Sequence, residues 1–181
     1  MTVAKRRLDP DRRSRIIDVA LDVIAEYGVA GTTHRKVAEA ADVPLGSMSY
    51  HFSGMDELLI EAFRRLAATV SARFTELLVA AQTPDEARQA VVAIITDASW
   101  TNTRHLLLSY ELYAFGARNP ALQTVMREWM EASRRALERH FDRDTARMLD
   151  ALIEGLTIHR SVDPEPVDAT RIRAIVDKLT T

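Results

Sequence analysis

The stretch "TTHRKVAEAADVPLGSMSYHF", residues 32–52, decides the fold of this chain. Its pattern predicts two short helices separated by a tight turn at about residues 41–43. Two helices joined by a turn of three or four residues are typical of the helix-turn-helix of DNA-binding proteins, and an ordinary helical hairpin has the same pattern. Such turns often need a residue with positive φ, and Asp42 tolerates that conformation better than most residues.

Composition limits the class of protein. The chain has 181 residues, of which 47% are hydrophobic, so it can bury a core and is globular. The sequence has no apolar run long enough to cross a membrane, and the basic residues near its start are not followed by the apolar run of a signal peptide. It also has no cysteine, which excludes disulfides and thiolate metal sites. We therefore expect a cytoplasmic protein with no membrane partner.

The net charge of −2 does not by itself favour a partner with negative charge. The first fifteen residues are nevertheless basic, with Lys5, Arg6, Arg7, Arg12, Arg13 and Arg15. A local basic arm can contact phosphates even on a near-neutral chain. A solvated terminus accounts for the same charges, so this arm supports DNA binding only together with the motif that follows it.

A 3.6-residue hydrophobic period runs through nearly every segment and predicts an all-α fold of nine helices. The third helix is expected over roughly residues 44–52. The long fourth helix is expected to open at a capping box of Ser53 and Asp56, and "TPDE" at residues 83–86 is a second capping box. The segment at residues 103–119 is apolar nearly all round, so we expect it at the centre of its domain.

A longer segment, "RIIDVALDVIAEYGVAGTTHRKVAEAADVPLGSMSYHFSGMDELLIEAF" at residues 15–63, resembles the DNA-binding domain of the TetR family of bacterial transcriptional regulators. The resemblance rests on the spaced elements "AL-x-x-IAEYG", "TT-x-R-x-VA", "A-D-VP-x-G-x-M" and "YHF-x-x-x-x-ELL". It implies a helix-turn-helix domain over residues 1–53 and an effector-binding and dimerisation bundle over residues 54–181. It further implies a ligand-responsive regulator, most often a repressor, that needs no cofactor.

The resemblance also implies that the second short helix enters the major groove of double-stranded operator DNA. Gly46 and Ser47 are small enough for the close approach that this groove requires, and Leu45 is suited to touch a thymine methyl. Met48 and Phe52 are expected to face the core instead. The expected DNA contacts are Thr33, Arg35, Lys36, Pro44, Leu45, Gly46, Ser47, Ser49, Tyr50 and His51.

Some of these residues have simpler roles. Thr33 is equally suited to cap the first helix of the motif, and Lys36 to lie in solvent. His34 and His51 have no metal-ligating neighbours at helical spacing, so we expect no metal site.

Four positions depart from the family pattern. The family usually has Gly at the position of Asp42 and often Ser or Thr at that of Pro44. It commonly has Tyr and Lys, which hold phosphates, at the positions of Ser49 and Met55. Tyr50, His51 and the N-terminal arginines are therefore candidates to take over these phosphate contacts.

The resemblance places a small-molecule effector in the C-terminal bundle, with the fourth helix as the element shared by both domains. Glu111 is the most informative candidate, because a buried carboxylate needs a partner such as Arg104, a backbone group or a cationic ligand. Most of the other candidates are also suited to the plain core. The expected ligand-binding residues are Phe63, Leu66, Val70, Phe74, Trp100, Leu108, Tyr110, Glu111, Tyr113, Met126, Trp129 and Met130.

A homodimer on a palindromic operator is expected, because one subunit makes too few base contacts for specificity. Gly155 lies in the middle of the eighth helix, where it costs about 1 kcal/mol relative to Ala. Either the close approach of a second helix or contact with its own core would explain it. The expected interface residues are Leu152, Gly155, Leu156, His159, Ile172, Ile175, Val176 and Leu179.

Two other classes of protein are alternatives. The sequence shows no nucleophile elbow, phosphate-binding glycine loop, metal-spaced histidine set or paired catalytic carboxylates, so we do not expect an enzyme. A helical scaffold that binds protein partners and no DNA would also be all-α. The basic arm and the motif at residues 32–52 argue against it.

Overall fold

The computed structural model describes residues 10–97 and 102–181, so Lys5, Arg6, Arg7 and Trp100 lie outside the described residues. The described ranges contain nine helices and no strand, which confirms the predicted all-α fold. The chain divides into two compact units, of which the first ends at Arg65 and the second begins at Leu66. The helices are α1 (Arg12–Gly31), α2 (His34–Ala40), α3 (Gly46–His51), α4 (Met55–Ala80), α5 (Pro84–Thr96), α6 (Thr103–Gly116), α7 (Pro120–Leu137), α8 (Arg143–Arg160) and α9 (Ala169–Leu179).

Helix α1 buries one apolar face and breaks at Gly28. Its period-3.6 stripe, which includes Ile16, Ala20 and Ile24, is fully buried in the first unit. Gly28 has φ 68° and ψ 170°, a backbone that glycine adopts readily because it lacks a Cβ. The hydroxyl of Thr32 donates a hydrogen bond of 2.7 Å to the Gly28 carbonyl and so holds the last turn after the break.

The turn between α2 and α3 has the predicted backbone. Asp42 has φ 50° and is the one residue other than glycine with positive φ in the described ranges. The amide of Asp42 donates to the Glu39 carbonyl at 3.1 Å, and that of Val43 donates to the Ala38 carbonyl at 2.9 Å. These bonds satisfy carbonyls at the end of α2 and direct the chain sharply towards α3.

Helix α3 is shorter than predicted, because it begins at Gly46 and not at Pro44. Pro44 and Leu45 form a turn in front of it, in which their carbonyls accept hydrogen bonds from the amides of Ser47, at 2.8 Å, and Met48, at 3.0 Å. Pro44 has no amide hydrogen, so it can provide only this acceptor. Met48 is fully buried, as predicted.

Helix α4 starts differently from the predicted capping box. It begins at Met55, and Ser53 pairs with Glu57 and not with Asp56. The Glu57 carboxylate accepts from the Ser53 amide at 2.8 Å and from its hydroxyl at 2.7 Å. These bonds and the nearby Arg13 hold the pKa of Glu57 below its ordinary value. The second capping box, at residues 83–86, is confirmed with reciprocal bonds of 3.2 Å and 3.1 Å.

Two arginines of α1 hold the first unit together. Arg13 lies 3.3 Å from a carboxylate oxygen of Glu61, and its guanidinium lies 5.1 Å from the centre of the Phe52 ring. Arg15 donates from its Nε to the Ala41 carbonyl, at 3.4 Å, beside the α2–α3 turn. Both residues belong to the basic arm of the sequence, yet they bond to groups of their own chain.

The core of the second unit is formed by α5, α8 and α9 with the ends of α4 and α7. The buried residues of this core are Phe74, Leu78, Ala90, Val91, Ile94, Ile95, Ala136, Leu137, Ala146, Leu149, Ile172 and Val176. Helix α6 is less enclosed than predicted, because Leu107 and Tyr110 remain 41% and 38% exposed. Within the described ranges, no helix combines the length and apolarity that a membrane span requires.

The Asp42 backbone generates a prediction about stability. Asp42→Ala is expected to lower the free energy of unfolding by about 1 kcal/mol, because a Cβ-bearing residue without a polar side chain is disfavoured at positive φ. Asp42→Gly is the matched control and should leave the stability unchanged within about 0.5 kcal/mol. Urea unfolding followed by circular dichroism measures both. Equal stability of the two variants would contradict a constraint at this turn.

Candidate DNA-binding surface and ligand cavity

Helix α2 presents two of the expected DNA contacts at its start. Thr33 is the N-cap of α2, and its side-chain oxygen accepts a hydrogen bond of 3.3 Å from the amide of Lys36. Its capping role is therefore confirmed, and the residue itself remains exposed. Arg35 is also exposed, so its charge is available to a phosphate.

Lys36 makes contacts within the chain that were expected neither for a phosphate contact nor for a solvated side chain. Its ammonium donates to the Gly31 carbonyl at 2.9 Å and lies 3.8 Å from the centre of the Tyr27 ring. A cation over an aromatic ring is stabilised by the ring's quadrupole. Lys36 thus ties α2 to the end of α1.

Helix α3 and the turn before it expose the remaining expected contacts. Tyr50 is 83% exposed and Leu45 is 51% exposed, although both have large apolar parts. An added Cβ at Gly46 would meet no atom within 4 Å, so nothing in the chain itself requires glycine there. Ser49 donates to the Gly46 carbonyl at 3.3 Å and is exposed. Packing within the chain does not require small residues at these positions. Their small side chains leave room for another molecule to approach closely.

Pro44, His51 and Ser47 complete this surface. Pro44 is exposed, and Ser47 and His51 are half-buried. The His51 ring packs edge-on against the Tyr50 ring, with 4.9 Å between their centres. The structure therefore brings all ten predicted DNA contacts onto α2, α3 and the turn between them.

The second unit contains an apolar cavity of about 100 Å³. Six of the predicted ligand-binding residues line it, namely Val70, Phe74, Tyr113, Met126, Trp129 and Met130. Helices α4, α6, α7 and α8 supply most of its wall. Aromatic rings and flexible thioethers with a few polar groups are typical of small-molecule sites.

The other predicted ligand-binding residues lie elsewhere. Phe63, Leu66 and Leu108 are buried core residues and do not line the cavity. Tyr110 is exposed, and its hydroxyl lies 3.0 Å from that of Ser161. Glu111 is half-buried on α6 but is not part of the cavity wall.

The two carboxylates of the cavity wall were not among the predicted ligand-binding residues. Asp150 and Glu154 line it from α8, together with Ile153, Thr157 and Ile158. Two carboxylates four residues apart on a helix are usually part of a solvated face. Their placement among apolar residues of the same stripe was the signal that could have identified them.

The two carboxylates have different partners. Asp150 forms an ion pair of 2.9 Å with the Nε of Arg134 on α7. Burial raises the pKa of Asp150, while the Arg134 guanidinium opposes that rise. Glu154 is exposed as a whole residue, yet partial desolvation of its carboxylate at the cavity raises its pKa. Its carboxylate accepts a hydrogen bond from the hydroxyl of Tyr113 and lies near the charge of Asp150.

The remaining titratable groups of the wall are uncharged near neutral pH. Burial and the neighbouring charge of Glu154 raise the pKa of Tyr113 far above its ordinary value, so the phenol keeps its proton. Burial, with the positive charges of Arg104 and Arg73, lowers the pKa of His105. Its Nδ1 lies 3.2 Å from the side-chain oxygen of Asn102.

The predicted interface residues fall into three groups. Ile172 and Val176 are fully buried in the core of their own unit, so their side chains are not available to a second chain. Leu152, Leu156 and Leu179 pack against the same core and remain partly exposed. Ile175 and Gly155 are half-buried, and His159 is exposed. An added Cβ at Gly155 would meet no atom within 4 Å.

These features are typical of one class of protein, in which an N-terminal helix-turn-helix unit is followed by a helical bundle that contains a cavity. Comparison with family models agrees. Residues 16–62 match the model of the tetR family of bacterial regulatory proteins, and residues 82–181 match the tetracyclin repressor-like C-terminal domain. The chain belongs to the TetR family and is a transcriptional regulator, not an enzyme.

Similar proteins cover nearly the whole chain. SCO7518 of Streptomyces coelicolor A3(2), assigned as a transcriptional regulator, is 48% identical over 95% of this chain and 99% of its own, with a TM-score of 0.89. The multidrug binding protein EbrR, solved with ethidium, is 34% identical over 94% of this chain and 99% of its own, with a TM-score of 0.76. The HTH-type transcriptional regulator BetI 1 of Chromohalobacter salexigens is 28% identical over 94% of this chain and 89% of its own length.

The raised pKa of Glu154 generates a prediction about stability and pH. A carboxylate whose pKa is higher in the folded state than in the unfolded state makes folding less favourable once it ionises. Glu154→Gln is therefore expected to raise the free energy of unfolding at about pH 7.5, and this gain should vanish near pH 4, where Glu is itself protonated. Urea unfolding of both proteins across this pH range measures the difference.

Asp150→Asn is the contrasting variant in the same wall. It leaves the half-buried Arg134 without its carboxylate partner, which is expected to lower the stability at about pH 7.5 by about 1 to 3 kcal/mol. A loss of stability in both variants would contradict the different roles assigned to Asp150 and Glu154.

Proposed function

We propose that this regulator binds a palindromic operator as a homodimer, represses the adjacent genes in the cytoplasm, and is released by a small organic effector in the cavity of its second unit. The observation that carries this proposal is the combination of two features in one chain. One is an exposed surface on α2 and α3 with small residues at its centre. The other is an apolar cavity with a few polar groups on its wall.

The α2–α3 surface supports groove binding by its shape and composition. Gly46 has open space where a Cβ would be, and Leu45 in front of it exposes an apolar side chain that suits a thymine methyl. Tyr50 and Arg35 expose groups that can bind phosphates, which orient the protein on the duplex. Tyr50 thus replaces, in our proposal, the phosphate contact that the family commonly has one position earlier.

A gel-shift titration with the DNA that flanks its own gene tests the DNA half of the proposal. We expect binding that prefers this DNA over a scrambled duplex and that weakens steeply as salt rises, because phosphate contacts release counterions. Binding without sequence preference, or none at low salt, would instead support the helical scaffold. Reporter expression with and without the protein then distinguishes repression from activation.

The adjacent basic residues Arg35 and Lys36 provide a matched pair of variants. Arg35→Met should leave the stability unchanged and weaken DNA binding, with the slope of log affinity against log salt reduced by about 1. Lys36→Met should instead lower the stability by about 1 kcal/mol, because it removes the contacts with Tyr27 and Gly31. Its salt slope should match that of the wild-type protein. The reverse pattern would mean that Lys36 holds the phosphate.

The cavity supports an organic effector of small size. Its volume of about 100 Å³ is somewhat below that of an engineered apolar cavity of about 150 Å³ that binds benzene. Met126 and Met130 can repack around a ligand because their side chains are unbranched and flexible. EbrR, which is similar over nearly the whole chain, is a multidrug binding protein solved with small organic molecules. Release from DNA requires only that the effector binds the two states with different affinity.

The position of Gly155 in the interior of α8 supports the proposed homodimer. Glycine in a helix interior costs about 1 kcal/mol relative to Ala, so its presence needs a reason. Its own core does not supply one, since no atom of the chain lies within 4 Å of an added Cβ. The close approach of a helix from a second copy would use the missing side chain, and the partly exposed Leu152 and Leu156 flank it on the same helix.

Substitution of Gly155 tests this interface. Gly155→Ala is expected to stabilise α8 by about 0.5 to 1 kcal/mol within one chain, yet to weaken the dimer because the helices can no longer approach as closely. Light scattering at micromolar concentration measures the mass, with Ala151→Gly, an exposed position on the same helix, as a control for helix stability. A wild-type protein that is monomeric at this concentration would overturn the proposal.

A further inference from the structure

Glu154 is the cavity carboxylate that no positive charge of its own chain compensates. It accepts a hydrogen bond from Tyr113, and the charge that acts on it is that of the Asp150 carboxylate. No ion pair joins Glu154 to a Lys, Arg or His side chain within the described residues. The Tyr113 phenol is neutral, so its hydrogen bond leaves the charge of Glu154 in place.

Asp150 differs in this respect, although it lines the same cavity. Its carboxylate lies 2.9 Å from the Nε of Arg134, and the two charges cancel. An ion pair in this position orients the side chains of α7 and α8 without adding net charge to the wall. Asp150 therefore serves as a positioning residue, and the wall's net negative charge comes from Glu154.

The residues that line the cavity from the other helices are apolar or neutral. Helix α4 contributes the apolar Val70 and Phe74, and α5 contributes Ile94. Helix α6 contributes Tyr113 and His105, and the lowered pKa of His105 keeps it neutral near neutral pH. Asp150 and Glu154 are the acidic residues of the described wall, and Asp150 is paired with Arg134. Of the two arginines whose charges act on His105, Arg73 is paired with Asp97.

The apolar part of the wall is suited to an organic cation. The rings of Phe74, Tyr113 and Trp129 line the same space as Glu154, with the thioethers of Met126 and Met130 beside them. Aromatic faces attract a cation through their quadrupole, and a quaternary ammonium group is recognised by such rings without any hydrogen bond. An aromatic ligand with one positive charge would match both the rings and the carboxylate.

We infer that the effector cavity takes a monovalent organic cation of about one aromatic ring, and that Glu154 is the residue that recognises its charge. This inference rests on the proposed ligand-binding role of the cavity. Asp150 acts only through Arg134. The cation supplies the positive charge that Glu154 lacks, so a ligand of the same shape without charge binds more weakly.

The same arrangement makes binding depend on pH. A bound cation favours the ionised form of Glu154 and lowers its pKa in the complex, so binding releases a proton when the free carboxyl is protonated. The affinity for a cation therefore rises with pH until Glu154 is ionised in the free protein as well, and then levels off. A neutral ligand has no such gain, because it does not interact with the charge.

Two probes of the same shape separate charge from fit. Phenyltrimethylammonium carries a fixed positive charge, and tert-butylbenzene is its neutral isostere. Isothermal titration calorimetry of each into the full-length protein at about pH 7.5 is expected to give an affinity roughly fivefold to tenfold higher for the cation, the effect of a partly solvated charge pair. The preference should shrink as the pH falls to about 5.

Two variants test whether the preference for the cationic probe depends on the Glu154 carboxylate. Glu154→Gln should remove most of the preference for phenyltrimethylammonium and its pH dependence, and leave the affinity for tert-butylbenzene unchanged. Glu128→Gln, at an exposed position on α7 that does not line the cavity, is the matched control and should retain both. Circular dichroism confirms that each variant is folded.

The outcomes distinguish the two proposals. Binding of neither probe would remove the proposed ligand-binding role of the cavity, and the inference with it. Equal binding of both probes, or a cation preference that survives Glu154→Gln, would leave the cavity as a ligand site and overturn the role of Glu154. Tighter binding of the neutral probe would do the same.

Discussion

The backbone of Asp42, with φ 50°, is the constraint on which the DNA-binding surface depends. It allows the amides of Asp42 and Val43 to turn back onto the end of α2, so that α3 can leave in a new direction. Helix α3 then has a buried face with Met48 and an exposed face with Tyr50. A six-residue helix has little stability of its own, so its position comes from this turn and from the burial of Met48.

In the second unit, by contrast, Glu154, which we propose to bind the effector, lowers the stability of the fold when it is ionised. Desolvation raises the pKa of Glu154 and makes its ionised form unfavourable in the fold. A residue selected only for stability at this position would not be a carboxylate, because an amide of the same shape avoids that penalty. Residues that reduce stability in this way are concentrated at functional sites, which is why Glu154 is more informative than the better-paired Asp150.

Local patterns were sufficient for some features and not for others. The helical period, the positive φ of Asp42 and the capping box of Thr83 depend on residues that are neighbours in sequence, and these predictions are confirmed. The start of α4 was predicted wrongly although it is local, because Ser53 bonds to Glu57 and not to Asp56. The roles of Arg13 and Arg15 depend on pairs that are far apart in the chain. Arg13 reaches Glu61 and Arg15 reaches Ala41, so a local pattern could identify them only as a basic arm.

The cavity was only partly predictable for a similar reason. Large apolar residues such as Trp129 and Met130 were suited to line a cavity, but so were Phe63 and Leu108, which fill the core instead. The period of a helix gives the buried face but not the places where burial is incomplete. The carboxylates Asp150 and Glu154 were missed because an i, i+4 acidic pair is usual on solvated faces, and the period of α8 alone does not show that this face borders a cavity with α6 and α7.

Charge has a particular role in a regulator whose cavity adapts to its contents. Because Met126 and Met130 can repack, shape alone would discriminate weakly among apolar molecules of similar size. A fixed charge discriminates more strongly, since a cation is attracted by the ionised Glu154 and a neutral molecule of the same shape is not. Val70 and Phe74 of α4 line the same cavity, and α4 begins at Met55 in the first unit. In the function we propose, a ligand that changes the packing of these two residues would act on a helix that continues into the first unit, and its difference in affinity between two states of the regulator would set how far it shifts their populations.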